Sequence, residues 1–470
     1  MAFVIVVSLI ATVLAPAPTE NDSPARITYE PHDPIYIDGN ANFSDTATWQ
    51  NWSGNGTLGN PYLIQGYDIN ASSTIGIYIG NTNVYFIITN CSIHDGESFN
   101  FGIFLDWCTN GTVTGNIFSN NYDGVRLEFS CGNTISNNIF INDDQLDKVG
   151  VEIFWRSDNN IFNNNTCSDC DIGIWSWSSS NGTISNNNCS SNVLYGIYLE
   201  ESSNNSLNNN TCSSNGEEGI FLELSNSNTL SNNTCSNNTY DGIWLLYSNS
   251  TALRNNNCSN KQYYGICIDH SINNTISKNT CNSNVYSGIH ISRCLASMIT
   301  GNTLANNNCS SNGLYGIYSW SSSNGTISNN NCSSNSEEGI YLELTIDNII
   351  WNNTFYHNNG AGDSYNATNI QGYDAGGKNN RWNSSDGYGN WWSDWRSPDM
   401  DMNGIVDMPY NISGDVGAND SYPRTNPLWI PEFSGVIIPI AGLMLIALVL
   451  GRTRKKKGKG FCAFVPIPLD

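Results

Sequence analysis

The sequence predicts an all-β chain: a parallel β-helix solenoid of about twelve coils, followed by one C-terminal transmembrane helix. Three observations predict it. A glycine leading into an alternating apolar run recurs at Gly76, Gly102, Gly124, Gly150, Gly173, Gly196, Gly219, Gly242, Gly265, Gly288, Gly316 and Gly339, and from Gly150 to Gly288 every step is 23 residues. Within each unit, short runs of period two are separated by Asn, Ser and Gly, with no helical period of 3.6. Finally, Phe433 to Gly451 is uncharged for 19 residues and runs straight into Arg452, Arg454, Lys455, Lys456, Lys457 and Lys459.

A fixed period in the low twenties marks a solenoid, whose coils bury their apolar faces only against one another. A leucine-rich repeat has a similar length, but the units lack a helical half, and three short strands per coil is the simplest fit. The stretch "SWSSSNGTISNNNCSSN" occurs twice, at Ser176–Asn192 and Ser319–Asn335, 143 residues apart. That distance is six periods plus five inserted residues, which read as falling near "LANNN". Composition agrees. Only 13% of the residues are charged, and 76 are Asn. Such a chain could be disordered, but Ile, Leu, Tyr and Trp recur on too strict a schedule. The net charge of −23 excludes nucleic acid as a partner, since phosphates need a basic face.

In chain order, residues 1–20 read as a signal peptide or N-terminal anchor, although a basic n-region is missing. Residues 21–74 form an N-terminal cap, 75–360 the repeats, and 361–431 a Trp- and Asp-rich closing segment. Residues 432–451 are long enough to span a bilayer, and the basic tail at 452–470 places itself in the cytoplasm and the body outside. The expected location is the cell membrane, single-pass, with the body extracellular.

Each column of the repeat has a job. The residue after each glycine is Ile or Val in all twelve units, and it points inward because side chains alternate faces along a strand. A second inward column holds Phe118, Phe140, Cys167, Cys189, Cys212, Cys235, Cys258, Cys281, Leu304, Cys332 and Phe355. Cysteine there shares its place with Phe and Leu and acts as a small hydrophobe; strained disulfides between coils and a thiolate metal site remain alternatives. The Asn runs fit turns, where Asn tolerates the left-handed conformation, and stacked amides can also bond from coil to coil. Sequons such as Asn181, Asn188, Asn232, Asn257, Asn324 and Asn331 are glycosylation candidates, with Asn188, taken as an inward site, the least available.

Three stretches, "GNGTLGNPYLIQGYDI" (Gly54 to Ile69), units such as "GIYLEESSNNSLNNNTCSSN", and "YGNWWSDWRSPDMDMNGIVDMPYNI" (Tyr388 to Ile412), resemble the NosD-like family of right-handed parallel β-helix proteins. The C-terminal "WIPEFSGVIIPIAGLMLIALVLGRTRKKK" is similar to the anchors of its archaeal, membrane-bound members. The resemblance implies a right-handed coil and a place outside the cell. It also implies, through NosD itself, a link to copper-site assembly in nitrous oxide reductase, and through wider kinship, sugar hydrolases, lyases and carbohydrate-binding proteins.

Two residues after each glycine lies a column expected to face outward: Tyr78, Phe104, Arg126, Glu152, Trp175, Tyr198, Phe221, Trp244, Cys267, His290, Tyr318 and Tyr341. Four after lie Asp106, Glu128, Glu200, Glu223, Asp269 and Glu343, with Trp177 and Trp320. Aromatic faces beside carboxylates suit sugar rings, and twelve coils make a strip roughly 55 Å long. Stacking of these rings on one another is the competing reading. Glu200 with Glu223, or Asp106 with Glu128, are the candidate carboxylate pairs for a glycosidase, but one column offers no second wall around a sugar. Arg126 and Glu152 read as a surface ion pair. Cys267 and His290, with Asp269 nearby, form the one outward Cys/His pair of the repeat, a candidate for copper. "DMDMNGIVD" places Asp399, Asp401, Asn403 and Asp407 like the start of a Ca²⁺ loop, with Tyr410 where a bidentate Glu would stand. The leading expectation is a surface-anchored, non-catalytic protein that binds extracellular glycan or cell-envelope components. A copper-maturation accessory and a polysaccharide hydrolase or lyase are the alternatives.

Overall fold

The computed structural model describes residues 29–96, 99–142, 148–292, 301–414 and 417–427. The expected leader at 1–20, the span at 432–451 and the basic tail at 452–470 lie outside the described residues. Among the described residues no helix is long and apolar enough to cross a membrane.

The chain winds into a right-handed parallel β-solenoid with three walls. One wall is a 14-stranded sheet running from Ile35–Asp38 to Gly372–Ala375, and the second a 13-stranded sheet from Tyr62–Gln65 to Ile349–Trp351. The third begins as six strands, from Glu30–Pro31 to Thr166–Ser168. It then thins to single bridges linking Asn188, Thr211, Thr234, Asn257, Thr280 and Asn308 on successive coils, and widens again at Asn331–Ser333. The 14-stranded sheet carries one strand before the Gly76 unit and one after the Gly339 unit.

Strict register follows from the repeat. Ile197, Ile220, Ile243 and Ile266 pair in line, and all are fully buried. Burying such side chains contributes about 1.5–3 kcal/mol each. The cysteine column is buried as expected, and the thirteen described cysteines are all free thiols. One member was misplaced: Leu304 pairs with Ile276 and Ile327 in the 13-stranded sheet, and Cys309 takes its place among the cysteines. The five extra residues enter just before "LANNN", between Ser292 and Thr303.

The glycines are required by close approach between coils. A Cβ on Gly242 would stand 2.5 Å from the carbonyl oxygen of Gly265 and 2.8 Å from the Cβ of Cys258, distances at which backbone would have to move.

The Asn runs do more than turn the chain. Asn116, Asn138, Asn165, Asn187, Asn210, Asn233, Asn256, Asn279, Asn307, Asn330, Asn353 and Asn390 are buried in one line. Each amide Nδ2 donates to the Oδ1 of the next at 3.0–3.1 Å. The same Oδ1 accepts a backbone N–H from the coil before it. A second line runs through Asn192, Asn215 and Asn238 and resumes at Asn284, Asn312, Asn335 and Asn358. In "SNNNCSSN" it is thus Asn187 that faces in, while Asn188, taken above as inward, is exposed; three consecutive Asn gave no way to choose between them.

Both ends are covered. A helix, Asn40–Trp49, lays Phe43 on Tyr62 at 4.8 Å. At the far end Trp392 stacks on Phe355 and on Tyr410, each at 4.0 Å. These caps keep the terminal coils from pairing with other chains.

Asn233→Ala should lower unfolding free energy by about 1–3 kcal/mol, because it orphans buried partners on two coils. Gly242→Ala should cost a similar amount by overpacking. Exposed Asn188→Ser should change stability by less than about 0.5 kcal/mol. Denaturant midpoints at constant slope measure all three.

Candidate functional site

The column two after each glycine lies on the outer face of the 14-stranded sheet, where its rings stack on each other. Trp175, Tyr198, Phe221 and Trp244 follow at centroid distances of 6.0, 4.9 and 4.5 Å, within 15° of parallel. Tyr36–Tyr78 and Tyr341–Tyr373 repeat the arrangement at 4.7 and 4.6 Å, while Tyr78–Phe104 and Tyr318–Tyr341 meet edge-on. Most ring faces are thus covered by neighbouring rings, and their edges line the surface.

The column is not an open strip. The residue before the glycine is aromatic or acidic in eight of the twelve units, and Phe101, Asp123, Tyr195, Glu218, Asp241 and Tyr264 rise beside the column as a second wall. Tyr195 lies 5.3 Å from Tyr198 and 5.6 Å from Phe221. This wall corrects the expectation of a single exposed column, and it sinks Glu152, Phe221, Cys267 and His290 to 4–7% exposure. Two hollows result, roughly 490 Å³ around Cys267 and roughly 440 Å³ around Arg126.

The column four after glycine joins this lattice. Tyr78 Oη donates to Asp106 at 3.0 Å, Tyr198 to Glu223 at 2.7 Å and Tyr318 to Glu343 at 2.7 Å, each reaching to the next coil. Glu200 and Glu223 face each other in register, as do Asp106 and Glu128. Burial raises the pKa of Asp106, Glu128 and Glu200. Trp177 packs edge-on against Phe154 at 4.5 Å, and Trp320 lines the hollow at Cys267.

In that hollow the ring stack breaks. Trp244 is in register with Cys267, and Cys267 with His290. Tyr264 leans in from the second wall and stacks on His290 at 4.3 Å. Glu218 and Asp241 form the side. Burial, with Asp241 and Glu217 nearby, pushes Glu218 up to about 8. Burial also pushes Asp241 up to about 7, against the Tyr264 amide, which donates to it at 2.8 Å, and the Lys261 ammonium behind. Burial lowers His290 to about 4 and raises the Cys267 thiol. Near neutral pH this floor holds an uncharged imidazole, an uncharged thiol, a Glu218 carboxyl that largely keeps its proton and an Asp241 carboxyl that shares its proton with solvent about equally.

In the other hollow, Arg126 bonds Glu152 and sits 3.7 Å from both Asp123 and Glu128, with its guanidinium over Phe154 and Phe101. The ion pair expected on the surface is therefore partly withdrawn from it, with Glu152 buried and Arg126 half-buried. The Asp399–Asp407 turn folds on itself. Asp399 accepts the amides of Asn403 and Gly404 at 3.1 Å, Asp407 accepts that of Met400 at 2.8 Å, and Asn403 Nδ2 donates to Asp401. Tyr410, the twelfth residue, is buried under Trp392. Among the described residues no group of three or more His, Cys, Asp or Glu side chains is placed to hold a metal ion.

One aromatic surface had no signal in the periodicity. The residue five after glycine turns a corner in the left-handed region, and there stand Trp107 (φ 53°), Phe129 (φ 48°), Leu224 and Tyr247. Trp107 stacks on Phe129 at 4.7 Å and is 58% exposed. A left-handed bulky residue costs roughly 1–2 kcal/mol.

A family model described as periplasmic copper-binding protein (NosD) matches residues 36–211 and 150–308, and one described as right handed beta helix region matches 241–404. No curated protein matches the chain. Among solved structures, the Azotobacter vinelandii mannuronan C-5 epimerase AlgE6 A-module superposes with a TM-score of 0.48 at 12% identity, over 73% of this chain and 94% of that one. The Dettilon tailspike protein gives 0.49 at 15% identity, over 60% and 62%. The periplasmic alginate epimerase AlgG gives 0.44 at 15%, over 70% and 84%.

The buried carboxyls make stability depend on pH. Glu218 and Asp241 hold their protons more tightly folded than unfolded, where their pKa values are about 4.3 and 3.9. Their contribution is complete below about pH 4 and is lost as pH rises through 7 to 8. The melting temperature of the wild type should therefore fall from pH 5 to pH 9 more steeply than that of a Glu218→Gln/Asp241→Asn variant. The two should converge at the acid end.

Proposed function

Because the chain belongs to the NosD family of right-handed parallel β-helix proteins, we propose that it is a non-catalytic binding protein of the cell envelope whose groove holds an extended glycan. The observation that carries this reading is the two-walled groove along the 14-stranded sheet. Stacked aromatic edges line one side, and tyrosines and buried acids such as Glu218 and Asp241 the other. Sugars are held by such pairing of apolar faces with hydrogen-bonding groups. The carboxylates of Glu223 and Glu343 are engaged by tyrosine hydroxyls, which favours holding a glycan over cleaving it. In this reading residues 1–20 export the body and residues 432–451 anchor it.

A second reading follows from the description of the family as copper-binding and from the register of Cys267 with His290. These two donors would suit a soft ion in passage, but the described residues do not build a complete resident site around them.

On a glycan array the protein should bind a defined set of oligosaccharides, and a Trp175→Ala/Trp244→Ala double variant should lose them while melting as a folded protein. Binding to no glycan would overturn the first reading. The second would gain from stoichiometric Cu(I) uptake, in competition with a chromophoric chelator, that Cys267→Ser/His290→Ala abolishes.

A further inference from the structure

We infer that the break in the ring stack at Cys267 is the subsite that selects the glycan, and that it takes one uncharged pyranose ring against the free face of Trp244. The inference rests on the glycan reading of the groove and sharpens it.

From Trp175 to Trp244 each ring covers the next. At the following coil the in-register residue is Cys267, whose side chain is one sulfur long. Among the described residues no ring stacks on that side of Trp244, so one indole face stays open. The space is bounded at its far end by Tyr264 on His290, and the hollow of roughly 490 Å³ falls within the usual range for a small-molecule pocket, about 300–1,000 Å³. Two of its polar atoms, Trp244 Nε1 and His290 Nδ1, are buried without a hydrogen-bond partner among the described residues. Buried polar atoms are rarely left so, and an indole donor and a neutral imidazole beside this hollow suit the hydroxyls of a sugar.

Charge narrows the ligand. The lining carries Glu217, Glu218, Asp241 and Asp269 and no Lys or Arg. A uronic acid would bring a carboxylate to these acids with no cation to meet it. A neutral hexose can accept from a protonated carboxyl and donate to an ionised one. The pocket therefore discriminates against acidic polysaccharides.

The test uses the full chain, titrated by calorimetry at pH 6 with neutral hexose trisaccharides (gluco-, manno- and galacto-configured) and with the matching oligouronates. Cys267→Phe should extend the stack as Phe221 does on Trp244 and fill the pocket; Cys267→Ser keeps its size. Wild type and Cys267→Ser should bind a neutral trisaccharide alike, and Cys267→Phe should bind it more than about tenfold more weakly, a difference of about 1.4 kcal/mol. Trp244→Leu, which removes the ring and leaves the space, should show the same loss and covers the case in which Cys267→Phe fails to fold. Undiminished binding by folded Cys267→Phe or Trp244→Leu would overturn the subsite while leaving the glycan reading intact. Preference for oligouronates would overturn its selectivity. Binding of no saccharide at all would remove the glycan reading, and the subsite with it.

Discussion

Along the whole solenoid, one buried amide hands a hydrogen bond to the amide above it, from Asn116 to Asn390. An Asn inside a protein must satisfy both ends of its amide, and here each does so only if the next coil places the same atom at the same height. The constraint is strict about register and indifferent to what lies outside. It explains why the five-residue insertion between Ser292 and Thr303 leaves the register intact on either side, with Asp269 pairing Ser292 and Thr275 pairing Thr303. It explains too why the cysteines, isoleucines and glycines form unbroken lines, and why each outward position becomes a column whether or not a column is useful.

Function in such a molecule shows as an exception to a column. Two exceptions, Lys261 and Cys267, fall on one coil, either side of Tyr264. Lys261 replaces an Asn of the second amide line and is 1% exposed, with its Nζ unpartnered among the described residues. Cys267 interrupts the rings, while Tyr264 stacks on His290 as Tyr195 packs on Phe221 and Tyr315 on Tyr341. Burial lowers the pKa of Lys261, opposed by the Cys235 and Cys258 sulfurs and by Asp241 in the groove wall. The buried ammonium thus sets part of the field in which Asp241 holds its proton. A cationic group inside the coil and an open space outside it are two sides of one wall.

Much of the fold was legible because solenoid packing is local: period, strand direction and inward residues follow from spacing alone. The errors were errors of register. In "NNNCS" identical residues allow adjacent registers, so Asn188 was chosen over Asn187; Leu304 was chosen over Cys309 because it stands 23 residues after Cys281 and the five-residue insertion precedes it; only the pairing partners decide. The site was less legible. Alternation predicts the two faces of a strand, but it does not cover the residue at the turn before it. Phe101, Asp123, Glu218 and Tyr264 therefore gave no warning that they would wall the groove. Tyr198, Phe221 and Trp244 were placed in the right column, yet whether their faces are open or stacked depends on ring tilt, which spacing does not carry. The corner aromatics at Trp107 and Phe129 were missed because nothing local prepares a bulky residue for a left-handed turn.

The account holds that the groove binds where its stack is broken, and a crystal structure of the protein with a bound neutral hexose trisaccharide tests this most directly. It predicts a pyranose ring lying on the open face of Trp244, within about 4 Å of the indole carbons, with hydroxyls on His290 and the acids of the side wall. A sugar seated instead on the exposed Trp107–Phe129 corner, or along the covered rings between Trp175 and Phe221, would contradict it.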